Sequence, residues 1–353
     1  MKRIFQIVPR LPPPEEGVGG IALALASALA ERGFACRFVV PVPFGAAAKA
    51  SGLDAIEIAP ESRALASALD GAEHAILHYA GYGYHPRGVP RWLAAGLQRT
   101  EGALWTLFHE VWATGPPWRS SFWLAPLQRS IARALGDRSA RITTSLDLYA
   151  RLLRSTLSDP HREIEVRPVI SAVGETTDPP DFERRARRLV LFGGPGLRGR
   201  AYRLHSTAIA TAVQVLGLTE IWDLGPEEVA PRALGALPVR RLGALPASEV
   251  SAVLADSAAG FLAYPLGFLG KSSVFAAYAA HGMLPVCIGR PISAQEVSRT
   301  GPVAGVHFWD VGAPSSCPPG VAVAARSWYE GHSLARQAAA IAEWANGSTA
   351  TTR

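Results

Sequence analysis

Residues 242–286 read LGALPASEVSAVLADSAAGFLAYPLGFLGKSSVFAAYAAHGMLPV. Their apolar spacing predicts a strand, a helix, a strand, a glycine-bearing loop, a second helix and a third strand. Strands alternating with helices in this way build a parallel sheet covered on both faces. The sharpest point is FLGKSS at 268–273, which opens a helix expected to end near His281. Free N–H groups and the helix dipole attract negative charge at such a start. Lys271 adds a point charge, and Ser272 or Ser273 supplies a cap. Gly270, Lys271, Ser272 and Ser273 therefore form a candidate diphosphate site. An ordinary capped helix that holds no ligand accounts for the same residues equally well.

The alternation extends backwards from this stretch. Further strands are expected at 189–192, 220–224 and 239–242, with helices at 202–216 and 247–254. Residues 171–187, SAVGETTDPPDFERRAR, break the pattern with two adjacent prolines and a dense charge cluster, the composition of a linker. Before them a second alternating series runs through strands at 3–8, 36–40, 75–79, 104–108, 142–144 and 164–169. Helices are expected at 21–32, 62–69, 91–97, 122–135 and 146–153. The organisation read from this is α/β. A first Rossmann-like domain covers 1–172, a linker 173–187 and a second Rossmann-like domain 188–333. A C-terminal helix and tail cover 334–353, and that helix is placed to cross back to the first half.

Composition narrows the class. The chain has 353 residues, long enough for two domains that each bury a core, and its 48% hydrophobic and 18% charged residues mark it as globular. A net charge of +6 suits an anionic ligand or an acidic membrane surface. It comes without a long Lys/Arg run or a nucleic-acid motif, so no nucleic-acid partner is expected. Cys36, Cys287 and Cys317 are far apart, odd in number and outside metal-ligand spacing, which points to a reduced cytoplasmic protein. The start does not read as a signal peptide, and no apolar run reaches the ~20 residues that span a bilayer. Residues 118–133, WRSSFWLAPLQRSIAR, mix aromatics with arginines. They suit peripheral contact with the inner face of a membrane or an extended acceptor, or a packed helix with a wet basic face.

Four further clusters carry candidate chemistry. Gly17, Gly19 and Gly20 follow the first strand, where glycines let the backbone approach a substrate closely. A dinucleotide reading fails there, because the second strand ends in Val40 and Pro41 with no acidic ribose partner. The run HYAGYGYH at 78–85 offers His78 and Tyr82 for stacking and hydrogen bonding to an acceptor. His109 and Glu110 end another strand, and they are the candidate catalytic pair, for handling a proton or a sugar hydroxyl. In FGGPGLRGR at 192–200, Gly193 and Gly194 permit close approach and Arg198 and Arg200 can clamp phosphate oxygens. Packed loops, a structural histidine and a solvated basic turn are the competing readings. No metal-ligand constellation stands out.

Together these residues resemble the GT-B glycosyltransferases, especially the large retaining family that uses nucleotide-sugar donors. The region LGALPASEV…AAYAAHGMLPV is similar to that family's G-x-(L/V)-x-x-x-E-(L/V) segment and A-x-G-x-P-V ending, with Glu249, Gly282 and Pro285 in place. GGIALALASALAERGF at 19–34 is similar to its opening helix. One feature departs. The family's two glutamates, eight positions apart, fall on Leu269 and Ala277. The resemblance implies two Rossmann-like domains facing across a cleft. The second would hold a nucleotide diphosphate sugar through Arg198 and Arg200, with His109 near the donor sugar. It implies hexosyl transfer without metal or further cofactor, to a small-molecule, glycan or lipid-linked acceptor. Two alternatives stay open: a sugar-nucleotide epimerase of the same fold, and a non-catalytic GT-B-like binding protein, suggested by the missing glutamates.

Overall fold

The structure is a computed structural model that describes residues 2–12, 17–43, 52–113, 118, 120–314 and 316–347. The chain divides into two compact units, Met1–Arg167 with Leu334–Arg353, and Pro168–Ser333.

In the first unit, β1 (Lys2–Ile7), β2 (Phe34–Pro41), β3 (Ala55–Ile58), β4 (His74–Tyr79), β5 (Ala103–Phe108), β6 (Arg141–Thr144) and β7 (Glu165–Val166) form one parallel sheet. Its order is β3-β2-β1-β4-β5-β6-β7. The connections carry α1 (Gly17–Ala30), α2 (Ser62–Ala68), the single turn α3 (Gly81–Tyr84), α4 (Arg91–Leu97), α5 (Ser120–Arg138) and α6 (Asp147–Arg154). Every residue of β4 is buried, as a strand covered on both faces requires.

In the second unit, β8 (Ala186–Phe192), β9 (Glu220–Leu224), β10 (Ala233–Leu234), β11 (Leu237–Gly243), β12 (Ser257–Ala263), β13 (Leu284–Ile288) and β14 (Trp309–Asp310) form a second sheet. Its order is β10-β11-β9-β8-β12-β13-β14, parallel except for β10 against β11. Its helices are α7 (Pro195–Leu204), α8 (Ser206–Val215), α9 (Ala247–Asp256), α10 (Ser273–Ala280) and α11 (Val321–Glu330). Leu189 and Leu191 feed the core on one face of this sheet and Val190 the core on the other. That is the two-residue period of a strand. Among their parallel strands both sheets reverse order once, between β1 and β4 and between β8 and β12. In open α/β sheets the ligand crevice lies beyond the carboxyl ends of the strands at such a point.

The helix α12 (Leu334–Gly347) belongs to the first unit. Trp344 meets His74 and Trp105 edge-on, with centroids 4.9 and 5.4 Å away. Lys2 donates to Asn346, and Arg32 donates to the Ala335 carbonyl. The segment 173–187, read as a linker, lies within the second unit and is tied into it. Tyr329 accepts from the Ser171 N–H and donates to Glu175, while Arg185 donates to the Pro180 and Ser257 carbonyls.

Three local readings are corrected. α1 starts at Gly17, so Gly19 and Gly20 stand in a helix and not in a loop. The turn expected at 192–200 is mostly the helix α7, with Gly194 as N-cap and Pro195 in the first turn. The helix expected at 202–216 breaks at His205 into α7 and α8.

At the strand reversal of the second unit, a tyrosine completes the sheet. The β8–β12 ladder ends at Val190 opposite Gly260. Beyond it the Tyr278 hydroxyl accepts from the Phe192 N–H at 3.1 Å and lies 3.1 and 3.2 Å from the Val190 and Phe261 carbonyls, one of which takes its proton. Gly260 makes room for the ring, because a Cβ there would stand 2.6 Å from it. Tyr278 thereby sets where β8 ends and the loop at Gly193 begins.

His281, at the end of α10, is buried and joins two helices. Its Nδ1–H donates to the Ala277 carbonyl at 2.7 Å, so its bare Nε2 accepts from Ser251 of α9, also at 2.7 Å. Burial, opposed by the bond to Ala277 and reinforced by Arg326 and Arg185, lowers its pKa from 6.5 to about 4. The folded histidine thus binds its proton later than the unfolded one as pH falls. Its stabilising contribution is complete above pH 6.5 and is lost on the way down to about pH 4. A shift of this size corresponds to about 3 kcal/mol. Urea unfolding across that window should show a smaller acid-induced loss in His281→Gln than in the wild type. Equal losses would mean that His281 does not contribute to the acid sensitivity.

Candidate functional site

In the second unit, two helix starts meet at the carboxyl ends of β8 and β12. Gly193 leaves β8 with φ +118°, a conformation that L side chains rarely adopt, and donates its N–H to the Leu224 carbonyl at 3.2 Å. A Cβ on Gly193 would lie 3.0 Å from Val274 Cγ2, so the glycine loop rests directly on the first turn of α10. Neither α7 nor α10 carries an acidic residue in its first turn. Gly194 is exposed, Arg200 is exposed, and Lys271 and Ser273 are half-exposed.

Three residues of the expected diphosphate set have other work. Arg198 is 1% exposed. Its guanidinium pairs with the buried Asp223 and donates to the carbonyls of Gly193 (2.7 Å), Pro226 and Glu227 (3.2 Å). It braces the loop from behind and offers no free fork to a phosphate, so its expected role as a clamp is corrected. Ser272 is the N-cap of α10, its buried Oγ accepting from the Phe275 N–H at 3.2 Å. Gly270 is buried, and its carbonyl accepts from the Val169 N–H. The positions of the family's glutamates, Leu269 and Ala277, are both buried in the apolar core with Val190, Leu262 and Phe275. An unpaired carboxylate there would carry a heavy desolvation cost. One carboxylate near this loop escaped the sequence reading. Glu296 stands against Gly267, where a Cβ would come within 2.7 Å of the Glu296 Cβ. It accepts from the Ser293 N–H at 2.9 Å and pairs with Arg290. Burial pushes its pKa up, and the bonds from Arg290 and Ser293 bring it below the usual carboxylate value. Its signal was legible: SAQE at 293–296 is a capping box.

In the first unit, the ends of β4 and β5 bring His78 and His109 together, with Nδ1 of His78 3.2 Å from Nε2 of His109. His78 is fully buried, and its Nε2 lies 2.9 Å from Gln6 Oε1. Burial, and then the neighbouring His109, hold its pKa well below 6.5. The expectation that His78 touches substrate is therefore corrected, because it stands behind the half-exposed His109. Gly19 is corrected too. It is packed against the chain, and a Cβ would fall 2.6 Å from the Arg10 carbonyl oxygen. Gly20 is half-exposed in the same helical turn.

Beside His109 is a cavity of about 250 Å³ whose lining includes Gly81, Tyr82, Glu110, Trp112, Gln128 and Tyr149. Gln128 of α5 organises it, donating to the Tyr82 hydroxyl (3.1 Å) and the Arg87 carbonyl (2.9 Å) while accepting from the Ala113 N–H (2.9 Å). The Arg129 guanidinium stands 5.3 Å from the Trp112 ring. The outer side of α5 leaves Trp123 72% exposed, and Trp118 just before it is 83% exposed. Arg119 of the same stretch lies outside the described residues, as does the tail 348–353. Gln6, Gln128 and Tyr149 were not anticipated as parts of either site.

Among the described residues, no group of three or more His, Cys, Asp or Glu is placed to hold a metal ion, and no helix is long and apolar enough to cross a membrane. The cysteines are unpaired thiols.

The two Rossmann-like sheets define the GT-B fold, and solved structures match it across the chain. An α-glucosyltransferase in complex with UDP and a 13-mer DNA aligns with a TM-score of 0.58 at 12% identity, covering 97% of this chain and 98% of that one. A glycosyltransferase from Rickettsia africae aligns with a TM-score of 0.59 at 11% identity, covering 98% and 99%. An α-glucosyltransferase holding UDP-glucose and DNA with an abasic site aligns at 0.51 and 12% identity, covering 98% and 92%. No family model matches the sequence, and no curated protein does. The expectation that excluded nucleic acid is corrected by these structures. The fold itself holds DNA beside UDP in the α-glucosyltransferase, so the lack of a basic run or a binding motif does not exclude such a partner.

Proposed function

We propose that the chain is a glycosyltransferase, hexosyltransferase in type, whose second unit binds a nucleotide diphosphate sugar and whose first unit binds the acceptor. The observation that supports it best is the meeting of two helix starts, at Gly194 and at Ser272, where β8 and β12 part. Their N–H groups and dipoles bring positive potential to one spot. With no acid in either first turn and Lys271 beside the second, the spot suits a diphosphate. Arg200, exposed on α7, supplies a further charge. Preorganised donors aimed at the leaving diphosphate stabilise the charge that develops there, a role that makes transfer independent of metal and of further cofactors in this reading.

The acceptor site is the cavity beside His109. Its aromatic faces, Tyr82 and Trp112, suit the flat side of a sugar or base, and Glu110 and His109 suit a hydroxyl. Candidate acceptors are small molecules, glycans, lipid-linked sugars and, after the match to a DNA-bound relative in fold, nucleic acid. Unpaired thiols fit a reducing cytoplasmic setting.

The test is a transfer assay with radiolabelled nucleotide hexoses against acceptors of these four classes. Label appearing in an acceptor supports the reading. A donor that binds yet is neither transferred nor hydrolysed would replace it with a non-catalytic binding role.

A further inference from the structure

We propose that the outer face of α5, with Trp118 just before it, is a docking surface for an anionic lipid bilayer. The helix lies along the headgroups, with its aromatic end reaching toward the acyl chains and its arginines on the lipid phosphates. Docking does not depend on the glycosyltransferase reading.

The helix carries more apolar surface than its packing uses. α5 buries one stripe, Ala125, Gln128, Ile131, Ala132 and Leu135, and packs against α4, α6 and β5. A helix buried on one side is normally polar on the other. Here the first two turns are apolar outside as well. Phe122 is 40% exposed and Leu127 39%, beside the still more exposed Trp118 and Trp123. Phe122 meets Trp123 edge-on with centroids 5.6 Å apart, so the two rings present one joint surface. Among the described residues, every exposed tryptophan or phenylalanine lies in this stretch. Single exposed apolar residues are ordinary, whereas a cluster rimmed by polar groups marks an interaction surface.

The charges beside the cluster decide what covers it. From Val111 to Gly136 the chain has no acidic residue. Phe122, Pro126, Arg129 and Arg133 recur at helical spacing and are all exposed, so one line along α5 runs from apolar to basic. Arg133 meets Asp137 at 3.4 Å, an exposed pair that loses little when the guanidinium turns to a phosphate. Arg87 is also exposed, on the loop whose carbonyl Gln128 holds. Indole rings settle at the headgroup level, phenyl and aliphatic groups go deeper, and arginines are drawn to anionic lipid. A nucleic acid fits the face less well. Stacking platforms set flat rings along a basic groove, whereas Leu127 offers no ring and the arginines gather at one end. Gln128, on the buried side of the same helix, organises the cavity beside His109, so docking holds that cavity close to the headgroups.

Flotation of the full chain with vesicles of two parts phosphatidylcholine to one part phosphatidylglycerol tests this. The wild type should float with these vesicles and bind pure phosphatidylcholine about tenfold more weakly or less. Trp118→Ser should cut partitioning by about tenfold or more, and Arg133→Gln by about fivefold. Tryptophan emission of the wild type should be quenched by phosphatidylcholine with brominated acyl chains, and the quenched fraction should fall in Trp118→Ser. Both substituted residues are exposed, so the variants should keep the wild-type urea midpoint. A wild type that does not float, or equal flotation of the wild type and Trp118→Ser, overturns the proposal. So does binding of a labelled oligonucleotide, or self-association in light scattering, that Trp118→Ser abolishes while flotation is unchanged. The wild-type flotation and quenching results decide even where a variant fails to fold.

Discussion

Arg198→Ala should unfold far more easily than the wild type, with a loss of about 3–5 kcal/mol in urea denaturation. Removing the guanidinium strands Asp223 as a buried charge and leaves the Gly193, Pro226 and Glu227 carbonyls without their donor. The loop of Pro226 and Glu227 holds Glu227 at φ +62°, a left-handed position that needs outside support. The neighbouring Arg200→Ala, on the exposed side of the same helix, should change stability by less than about 0.5 kcal/mol. A stable Arg198→Ala that has merely lost nucleotide affinity would return Arg198 to the role of a phosphate clamp.

Gly193→Val should abolish binding of nucleoside diphosphate, with affinity down by about a hundredfold or more. The backbone at φ +118° strains any L residue, by roughly 1–3 kcal/mol. The new Cβ also arrives 3.0 Å from Val274 Cγ2. Relief requires the glycine loop to move off α10, which separates the two helix starts that the proposed site needs. Gly196→Ala provides the control. A Cβ there would meet nothing within 4 Å and φ is not positive, so alanine should leave affinity intact and gain up to about 1 kcal/mol of helix stability. Equal behaviour of the two variants in a calorimetric titration would detach the loop from the ligand.

The fold was legible because its central strands are buried on both faces and most of its helices on one. LVLF at 189–192 and the all-buried β12 announce themselves as apolar runs between helical patterns. The helix α7 was hidden, because GGPGLRGR is rich in the residues that usually punctuate a chain. Yet glycine just before a helix and proline in its first turn are also start signals. The role of Arg198 was beyond reach, since its partner Asp223 is 25 positions away and reaches it only through the pairing of β8 with β9. The same holds for His78 and His109, 31 positions apart. They meet because Tyr79 pairs with Phe108 across β4 and β5. That register decides which strand-end histidine lies outside and which behind it. Sequence singled out these strand ends and could not say which residue at each end was buried.

A diphosphate site where β8 and β12 part is tested most directly by calorimetric titration of UDP, as the probe diphosphate, and of uridine into wild type and Lys271→Met. The substitution keeps much of the aliphatic stem and removes the charge beside the Ser272 cap. At one ionic strength, Lys271→Met should weaken UDP by roughly tenfold or more, the worth of a charge-assisted contact. Uridine, which lacks the diphosphate, should bind both proteins alike. Equal losses for UDP and uridine, or a wild type that prefers uridine, would contradict a diphosphate site at these helix starts.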